Sequence, residues 1–399
     1  MFKRRRMNNA EILNNRIPEI VSKITSVIRS REDKKALWAS FKRENNDYLN
    51  SAIRLPQGAD VKAGELMGFD IDSENNLILL NYTGQAHNVL HGVEDGWTPV
   101  LRMMRGLVYR FGEPGNTEQI QLVSRGFEKF FNFNEMPETR LWSLLRDAPE
   151  GEEVLCRGKS DGHMIEYFMN RSDLMATTRG KFGTASSLTA LEMFNRAQFI
   201  KASTVSRSFG KDLMTLVVEL VHPSTEVHVN YSGKEELHLL AAYDTSGNMF
   251  EIEELHEISD QTGYFVMPTE KMMTLHELVE EIRDRSVTNN EGWVATVGDR
   301  LVKFKYETYI GMMVQSKLSY KYVMRCLQND RAEKMFMTLP EEVRETADKM
   351  VDDVVSLCKR ISDYKPLYDF HSEAEGGRDY YRAVCREFWR EWGSKVSSF

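Results

Sequence analysis

The chain has 399 residues, of which 41% are hydrophobic and 28% are charged, and its formal net charge is -8 at pH 7. This composition is typical of a globular protein with a sizeable core, and the length suggests two or three domains. No run of about 18 apolar residues occurs, which excludes a membrane-spanning helix. The negative net charge excludes a polycation, so any nucleic-acid binding must use local basic patches.

The cysteines indicate a reducing compartment. They are scattered, at Cys156, Cys326, Cys358 and Cys385, and form no CxxC pair or zinc-binding pattern. The basic segment Met1–Arg6 is not followed by the apolar stretch and cleavage site of a signal peptide. We therefore expect a cytoplasmic protein with reduced thiols.

The first predicted elements are helices between about residues 9 and 45. Isoleucines recur at helical spacing, with an interruption at Pro18; they are Ile12, Ile17, Ile20, Ile24 and Ile28. The stretch is also highly charged. We predict a surface helix pair that packs on the main domain, and a dedicated nucleic-acid-binding arm is the alternative.

From Leu77 onward the pattern changes to short strands, many rich in β-branched and aromatic residues and bounded by turn residues. The predicted strands are Leu77–Tyr82, Gly106–Tyr109, Gln121–Ser124, Met164–Met169, Leu213–Val221, Val227–Tyr231, Leu237–Tyr243, Trp293–Val297 and Leu301–Tyr306. Helices are predicted at about Ser187–Lys201 and from Thr274, where Thr274 and Glu277 fit a capping box. This order predicts an α+β fold of antiparallel sheets rather than a doubly wound one.

After about Tyr309 the chain reads as all helix, with a second capping box from Thr338 to Glu341. We predict a helical extension at 1–60, a catalytic domain at 61–310 and a helical domain at 311–399. Lys317, Lys321 and Arg325 share one helical face, which is either a solvated surface or a track for phosphates. An aromatic helix with Tyr380, Tyr381, Phe388, Trp389 and Trp392 is expected near the end.

The motif that indicates chemistry is Lys159-Ser160-Asp161-Gly162, between a predicted strand at Val154–Cys156 and another at Met164–Phe168. A K-x-D-G string alone is weak evidence, because it occurs often by chance. Its context places Lys159 at a turn between strands, where it faces a cleft. Three histidines, His163, His222 and His228, lack metal-ligand spacing and are interpreted as ordinary surface or core residues.

Charged residues in later strands support a site. Glu219 stands in an apolar strand, where a carboxylate is costly to bury unless it is paired or binds a metal. Glu291 opens the strand that contains Val294. Lys303 and Lys305 lie on one face of a strand because side chains alternate, and two like charges side by side call for an anion such as a triphosphate.

The motifs resemble, in order, those of the covalent nucleotidyltransferases, which comprise DNA ligases, RNA ligases and mRNA capping enzymes. The series starts with R-G-L-V-Y from Arg105 and E-K-F-F-N-F-N-E from Glu128, and continues through K-x-D-G, E-G-W-V-A and V-K-F-K. The resemblance is strongest to the RNA ligase 1 family of T4-like bacteriophages, over roughly residues 81–309. DNA ligases and capping enzymes carry an arginine where this chain has Met164, and no β-rich OB pattern follows, which counts against both.

The resemblance implies roles for individual residues. Lys159 would attack the α-phosphorus of ATP and carry AMP, with Asp161 orienting it or a metal-bound water. The cations Lys303 and Lys305 would favour loss of the lysine proton and stabilise the α-phosphate. Glu219 and Glu291 would bind Mg²⁺, which Mn²⁺ can replace. The other implied ATP contacts are Arg105, Lys129, Gly162 and Arg179, with Val294 and Tyr243 against adenine.

The function implied is an ATP-dependent RNA ligase that joins 5′-phosphate and 3′-hydroxyl ends through lysyl-AMP and an adenylylated RNA. Single-stranded RNA and cleaved tRNA are both open as substrates, with RNA or tRNA repair as the role. We expect a monomer that binds no membrane, in the infected host cell if a phage encodes it. The alternatives are a DNA ligase or capping enzyme, a protein-AMP transferase and a non-catalytic RNA-binding descendant.

Overall fold

A computed structural model describes residues 9–55, 61–90, 96–113, 116–225 and 228–319, together with 322–323, 326, 346–354 and 356. The chain divides into two compact units: residues up to 278 together with 292–304, and residues 279–291 together with those from 305 onward. Within the described ranges, no helix combines the length and apolar character needed to cross a membrane. Most of the predicted C-terminal helical domain lies outside the described residues, including Lys321 and Arg325 of its basic face and its aromatic helix.

The helices lie mainly in the first third of the chain and against one sheet. They are α1 (Asn9–Glu11), α2 (Ile17–Thr25), α3 (Arg31–Glu44), α4 (Asn46–Ile53), α5 (Ala63–Leu66), α6 (Gly84–Leu90), α7 (Pro99–Met103), α8 (Leu141–Leu144), α9 (Ala185–Met193), α10 (Arg196–Ser208), α11 (Ile252–Thr262), α12 (Leu275–Glu281) and α13 (Glu307–Lys317). A π-helical turn, Ile12–Arg16, connects α1 to α2, and short 3₁₀ turns occur at Thr117–Gln119 and Pro137–Thr139.

The strands form three sheets, and nearly all strand pairs are antiparallel. They are β1 (Met67–Asp72), β2 (Leu77–Tyr82), β3 (Arg105–Arg110), β4 (Gln121–Ser124), β5 (Phe131–Asn132), β6 (Glu153–Gly158), β7 (His163–Asn170), β8 (Asp173–Thr178), β9 (Leu213–Val221), β10 (Glu236–Asp244), β11 (Glu270–Thr274), β12 (Gly292–Val297) and β13 (Arg300–Lys305). The sheet orders are β1-β2-β3-β4, β10-β9-β7-β8 and β11-β6-β12-β13-β5, with β13 and β5 parallel. The predicted α+β class with antiparallel sheets is confirmed.

The N-terminal helices pack on the first sheet, as predicted. The isoleucines of α2 share one hydrophobic core with residues of β1, β2 and β3. Tyr109 of β3 donates a hydrogen bond to the carbonyl of Leu13 at 2.8 Å, and Arg31 donates two to the Asp70 carboxylate at 3.0 and 2.7 Å. Pro18 does not break the helical path, because the wider π-helical turn ends just before it.

Some predicted boundaries are wrong, and local chemistry explains why. The predicted strand Val227–Tyr231 is a loop over residues 228–231, whose backbone amides bind a side chain instead of a neighbouring strand. The predicted helix Ser187–Lys201 is two helices, because the Asn195 side chain accepts hydrogen bonds from the amides of Ala197 and Gln198 and starts α10. Strands β1, β5, β8 and β11 were not predicted.

The second sheet places Glu219, a predicted metal ligand, on one face of β9. Leu216, Val218 and Leu220 point into a core beneath α9, α10 and α11. Glu219 therefore projects from the opposite face, since side chains alternate along a strand. It lies at the end of β9 where the K-x-D-G loop joins β6 to β7, opposite Met164 on one side and His238 on the other.

Ile24 tests whether the N-terminal helices are part of the core. Its side chain is fully buried, whereas Val27 is 49% exposed. We expect Ile24→Ala to lower the free energy of unfolding by about 2–5 kcal/mol, and Val27→Ala to change it by less than about 0.5 kcal/mol. Urea unfolding of both variants measures this difference, and equal effects would contradict the shared core.

Candidate active site

The K-x-D-G loop is held at every residue by a hydrogen bond from a different element. The backbone amide of Lys159 donates to the carbonyl of Gly292, at the start of β12, at 2.8 Å. The hydroxyl of Ser160 lies 2.6 Å from Nδ1 of His238 on β10. Because the lysine has hydrogen-bonded residues on both sides, its backbone position is fixed by the surrounding strands.

Asp161 organises the loop at 228–231. Its carboxylate oxygen Oδ2 accepts hydrogen bonds from the amides of His228 at 2.7 Å and Val229 at 2.9 Å, and the side chain is buried. In return, the hydroxyl of Tyr231 accepts a hydrogen bond from the Asp161 amide at 2.8 Å. The geometry gives Asp161 a positioning function, and its predicted action on the lysine or a metal-bound water stays a prediction.

Gly162 occupies a position that has no room for a side chain. A Cβ atom there would overlap the carbonyl oxygen of Leu220 and would lie 3.1 Å from Cγ of Glu219. This close approach lets the Gly162 amide donate to Oε1 of Glu219 at 3.1 Å. The glycine of the motif is therefore required by packing against β9, and it connects the loop to the predicted metal ligand.

Predicted cations from distant parts of the sequence converge in the first unit. Burial lowers the pKa of Lys303 well below its usual range, and repulsion from Arg105, Lys129 and Lys159 lowers it further. Burial also lowers the pKa of Arg105 and that of Lys129, and Arg179 adds repulsion to both. Such a group of desolvated like charges is costly unless an anion binds among them.

Aromatic rings surround these cations. Lys303 Nζ lies 4.2 Å from the centre of the Phe130 ring and donates to the Phe130 carbonyl at 3.1 Å. Lys129 Nζ lies 4.7 Å from the ring of Phe131 and 4.0 Å from the Glu135 carboxylate. Arg179 donates to the hydroxyl of Tyr82 at 2.9 Å. Ring faces attract cations but carry no formal negative charge, so they stabilise these groups without forming ion pairs with them.

A buried carboxyl group lies behind the arginine of this cluster. Glu166 on β7 is fully buried, accepts a hydrogen bond from Ser124 Oγ at 2.7 Å, and has an Oε1 atom with no hydrogen-bond partner among the described residues. Burial raises its pKa from 4.5 to about 8, although Ser124, Arg105 and Arg125 oppose the shift. At neutral pH the protonated form therefore predominates.

Two predicted ligands, Glu291 and Lys305, belong to the second unit. Oε1 of the buried Glu291 lies 2.8 Å from Lys305 Nζ, and the Tyr306 amide donates to the Glu291 carbonyl at 3.1 Å. Lys305 Nζ also lies 5.1 Å from the ring centre of Tyr309. The two side chains form an ion pair with each other. Metal binding by Glu291 and phosphate binding by Lys305 stay predictions.

The predicted adenine contacts are in different surroundings. Tyr243 is buried; the Arg125 guanidinium lies 4.6 Å from its ring centre, and the ring centre of Phe127 lies 6.5 Å away in an edge contact. A base can stack on it only after that packing changes. Val294 is half-buried on β12, directly opposite Arg157 of β6. The adenine roles of both residues stay predictions, and Val294 is the more accessible of the two.

The sequence analysis did not identify two further candidate residues, Arg157 and His238. Arg157 donates to the carbonyls of Leu239 and Leu240 at 3.0 and 2.7 Å, at a bulge in β10, and so connects the sheet of β6 to that of β10. His238 contacts the motif serine, but its histidine-glutamate spacing in a strand gave no recognisable signal. The pairing of β9 with β10 was needed to place it beside Glu219.

A family model described as RNA ligase matches residues 103–310, just over half of the chain. The chain belongs to the RNA ligase family. The matched range contains every predicted site residue from Arg105 to Lys305. The predicted enzyme class, an ATP-dependent RNA ligase related to the T4 ligase 1 type, is confirmed at the level of the family.

Relatives of the ligase come from a bacterium and a phage. A Thermovibrio ammonificans protein that carries a provisional RNA ligase name is 24% identical over 342 residues, which cover 81% of this chain and 84% of the relative. RNA ligase 1 of bacteriophage TS2126 is 26% identical over 212 residues, which cover 52% of this chain and 50% of the relative.

Among solved structures, an archaeal ATP-dependent RNA ligase gives a TM-score of 0.43 at 12% identity, covering 86% of this chain and 89% of that one. A Naegleria gruberi RNA ligase mutant with ATP and Mn gives a TM-score of 0.33 at 14% identity, covering 42% and 53%. The structural likeness is weak at these TM-scores, and the family assignment rests on the sequence match.

We expect Gly162→Ala to abolish self-adenylylation of the ligase, because the added methyl group displaces the K-x-D-G loop from Glu219 and Leu220. Gly84→Ala is the matched control, since a Cβ at that position meets no atom within 4 Å. The measurement is covalent labelling by ATP carrying label at the α-phosphate. A Gly162→Ala variant labelled at the wild-type rate would show that the close approach is dispensable.

Glu166 predicts a pH dependence of stability. Its pKa is about 8 in the folded ligase and 4.5 ordinarily, so between these values the folded state binds more protons and stability falls as pH rises. The fall is at most about 1.4 kcal/mol per pH unit. Glu166→Gln should flatten it between pH 5 and 8 in urea unfolding experiments. An unchanged pH dependence in the variant would show that another group titrates.

Proposed function

We propose that this RNA ligase seals an RNA 5′-phosphate to a 3′-hydroxyl with ATP, using Lys159 as the nucleophile and Mg²⁺ as the metal. The observation that carries this proposal is the convergence of cations. Arg105, Lys129 and Lys159 are far apart in sequence, yet each lies close enough to Lys303 to add to the lowering of its pKa that burial causes. A triphosphate followed by an RNA phosphate is the anion that the three-step reaction brings to such a cluster.

In the first step, Lys159 Nζ attacks the α-phosphorus of ATP. A phosphorus–nitrogen bond forms while the bond to the bridging oxygen breaks, and pyrophosphate leaves. The RNA 5′-phosphate then attacks the same phosphorus, releases the lysine and forms a 5′–5′ adenylylated end. Finally, the 3′-hydroxyl attacks the RNA 5′-phosphorus and AMP leaves. Each step is a displacement at phosphorus, so one cationic site serves all three.

The remaining residues divide by location. Arg105, Lys129 and Arg179 would hold the outer phosphates and later the RNA end, and Lys303 would stabilise charge on the α-phosphate. Arg179 lies at the exposed edge of this group, where an incoming RNA phosphate can reach it. In the second unit, Lys305 would exchange Glu291 for a phosphate, a change that needs an anion strong enough to compete with the 2.8 Å ion pair.

The donor set fits a weakly held Mg²⁺. Among the described residues, no group of three or more histidine, cysteine, aspartate or glutamate side chains converges on a metal position. Mg²⁺ usually takes one or two carboxylates and completes its shell with waters and phosphate oxygens. Glu219 provides one carboxylate beside the loop, with Glu291 as the second candidate. The ion would supply neutralisation of charge on the reacting phosphate.

The proposal extends to the natural RNA substrate. A single-stranded end or a cleaved tRNA would both present the required phosphate and hydroxyl, and repair of such breaks is the role that we propose. We also propose a monomer in the cytoplasm, which is that of an infected host if the gene belongs to a phage. The kinship with RNA ligase 1 of bacteriophage TS2126 supports this setting.

Covalent labelling tests the nucleophile. The purified ligase is first treated with pyrophosphate to remove any bound AMP and is then incubated with Mg²⁺ and α-labelled ATP. We expect acid-labile label on the wild type and at least a ~1,000-fold loss in Lys159→Ala, because no other side chain in the loop is an amine. Lys35→Ala is the control, since Lys35 lies on the exposed surface of α3.

The outcomes separate the remaining alternatives. Label on the wild type that moves to a 5′-phosphorylated RNA strand and yields a sealed product supports the proposal. Label that moves only to protein would favour an AMP transferase, and preference for nicked DNA would favour a DNA ligase. Absence of label from the wild type would contradict the proposal and favour a non-catalytic RNA-binding descendant.

A further inference from the structure

A chain of hydrogen bonds connects the loop of the nucleophile to a histidine and a glutamate on β10. Ser160 Oγ lies 2.6 Å from His238 Nδ1, and His238 Nε2 lies 2.9 Å from Oε2 of Glu236. Ser160 directly follows Lys159 in the sequence. None of the three connected residues has a role in the proposed function above.

The acid at the end of this chain fixes the protons along it. The hydrogen bond from His238, with help from Lys234 at 3.1 Å, holds the pKa of Glu236 below its usual value, so its side chain is a carboxylate. A carboxylate only accepts hydrogen bonds, and Nε2 of His238 must therefore carry a hydrogen. In the neutral ring Nδ1 is then the acceptor, and the Ser160 hydroxyl donates to it.

The position of His238 makes this chain a second anchor for the loop. His238 pairs directly with Glu219 across β9 and β10, so the two side chains lie on the same face of the sheet as neighbours. Gly162 binds Glu219 and Ser160 binds His238. Two residues of the motif are thus bound to one cross-strand pair. The ring of His238 is buried, 9% exposed, and both of its nitrogens are hydrogen-bonded.

We propose that His238 is a positioning residue for the nucleophile: through Ser160 it sets the direction in which Lys159 leaves the loop. This inference rests on the proposed role of Lys159. A lysine side chain has four rotatable bonds, so a fixed backbone beside it raises the fraction of molecules in which the amine faces the α-phosphorus. Loss of the Ser160 hydrogen bond should lower the rate of attack more than it weakens ATP binding.

The reaction provides a control within itself. Lys159 is the nucleophile when the ligase takes AMP from ATP, but it is not the nucleophile when a 3′-hydroxyl attacks RNA that is already adenylylated. A defect in the direction of Lys159 should therefore slow self-adenylylation and spare the sealing of chemically pre-adenylylated RNA. General loosening of the sheet would slow both reactions together.

The experiment compares Ser160→Ala, His238→Ala and the double variant in single-turnover self-adenylylation over a range of ATP concentrations. We expect each single variant to lower the maximal rate by about 10- to 100-fold with the half-saturating ATP concentration within about two-fold of wild type. The double variant should be no slower than the slower single variant, because both changes remove one interaction. Sealing of pre-adenylylated RNA should stay within about three-fold of wild type.

Conservative and matched variants complete the test. His238→Asn keeps an oxygen acceptor near the Nδ1 position, so it should adenylylate faster than His238→Ala. If His238→Ala does not fold, His238→Asn and Ser160→Ala test the proposal in its place. His222 is the matched control, since Nδ1 of this histidine lies 2.7 Å from Ser224 Oγ and its Nε2 lies 3.5 Å from Glu235 at the surface. His222→Ala should adenylylate at the wild-type rate.

Two results would overturn the inference. Wild-type rates of self-adenylylation in Ser160→Ala and His238→Ala would show that the hydrogen bond is irrelevant to Lys159. Parallel losses in adenylylation and in sealing would assign His238 a purely structural role. Failure of the proposed function is distinguishable from both results, because the wild-type ligase itself would then take no label from ATP.

Discussion

The site depends on keeping several like charges together away from water. Removing a cation from water is costly, and placing others beside it adds to the cost, which is why the pKa of Lys303 is depressed. Aromatic faces such as that of Phe130 and the single carboxylate of Glu135 offset part of this cost. The rest must be balanced by the stability of the sheets that carry these residues. An anion that bound among these cations would lower this cost.

The K-x-D-G loop solves a different problem, which is to fix the backbone around Lys159, the proposed nucleophile. The structure does so through backbone and neighbouring atoms: the Lys159 amide binds Gly292, Asp161 binds the 228–231 loop, and Gly162 packs against β9. Each connection comes from a different element. The short motif in the sequence is thus one part of a larger arrangement, in which β9, β10 and β12 determine where the lysine can point.

Sequence reasoning succeeded where a residue type is costly in its setting. Glu219 in an apolar strand and Lys303 in an alternating one stood out, and the structure places both beside the loop or in the cationic cluster. It also predicted the Thr274 capping box, in which the Thr274 amide binds Glu277 at 2.8 Å. Sequence reasoning failed where a residue's role depends on which strand or side chain it pairs with. His238 acquires meaning only through its register with Glu219, and residues 228–231 look like a strand until Asp161 takes their amides. Neither relation can be found from local spacing.

The buried Glu166 also limits how this sequence can diverge. Gly106 and Gly126 both lie so close to its Oε1 atom that a methyl group on either would overlap it, and Gly106 has in addition a φ of 88° that disfavours any side chain. Gly126 can therefore accept alanine only after position 166 has become smaller. If the substitution at position 126 came first, the alanine methyl group and the Glu166 carboxylate would occupy the same space. Among descendants of this ligase, a larger residue at 126 should accompany a shorter one at 166, so the two positions are coupled in evolution although one lies in the loop after β4 and the other in β7.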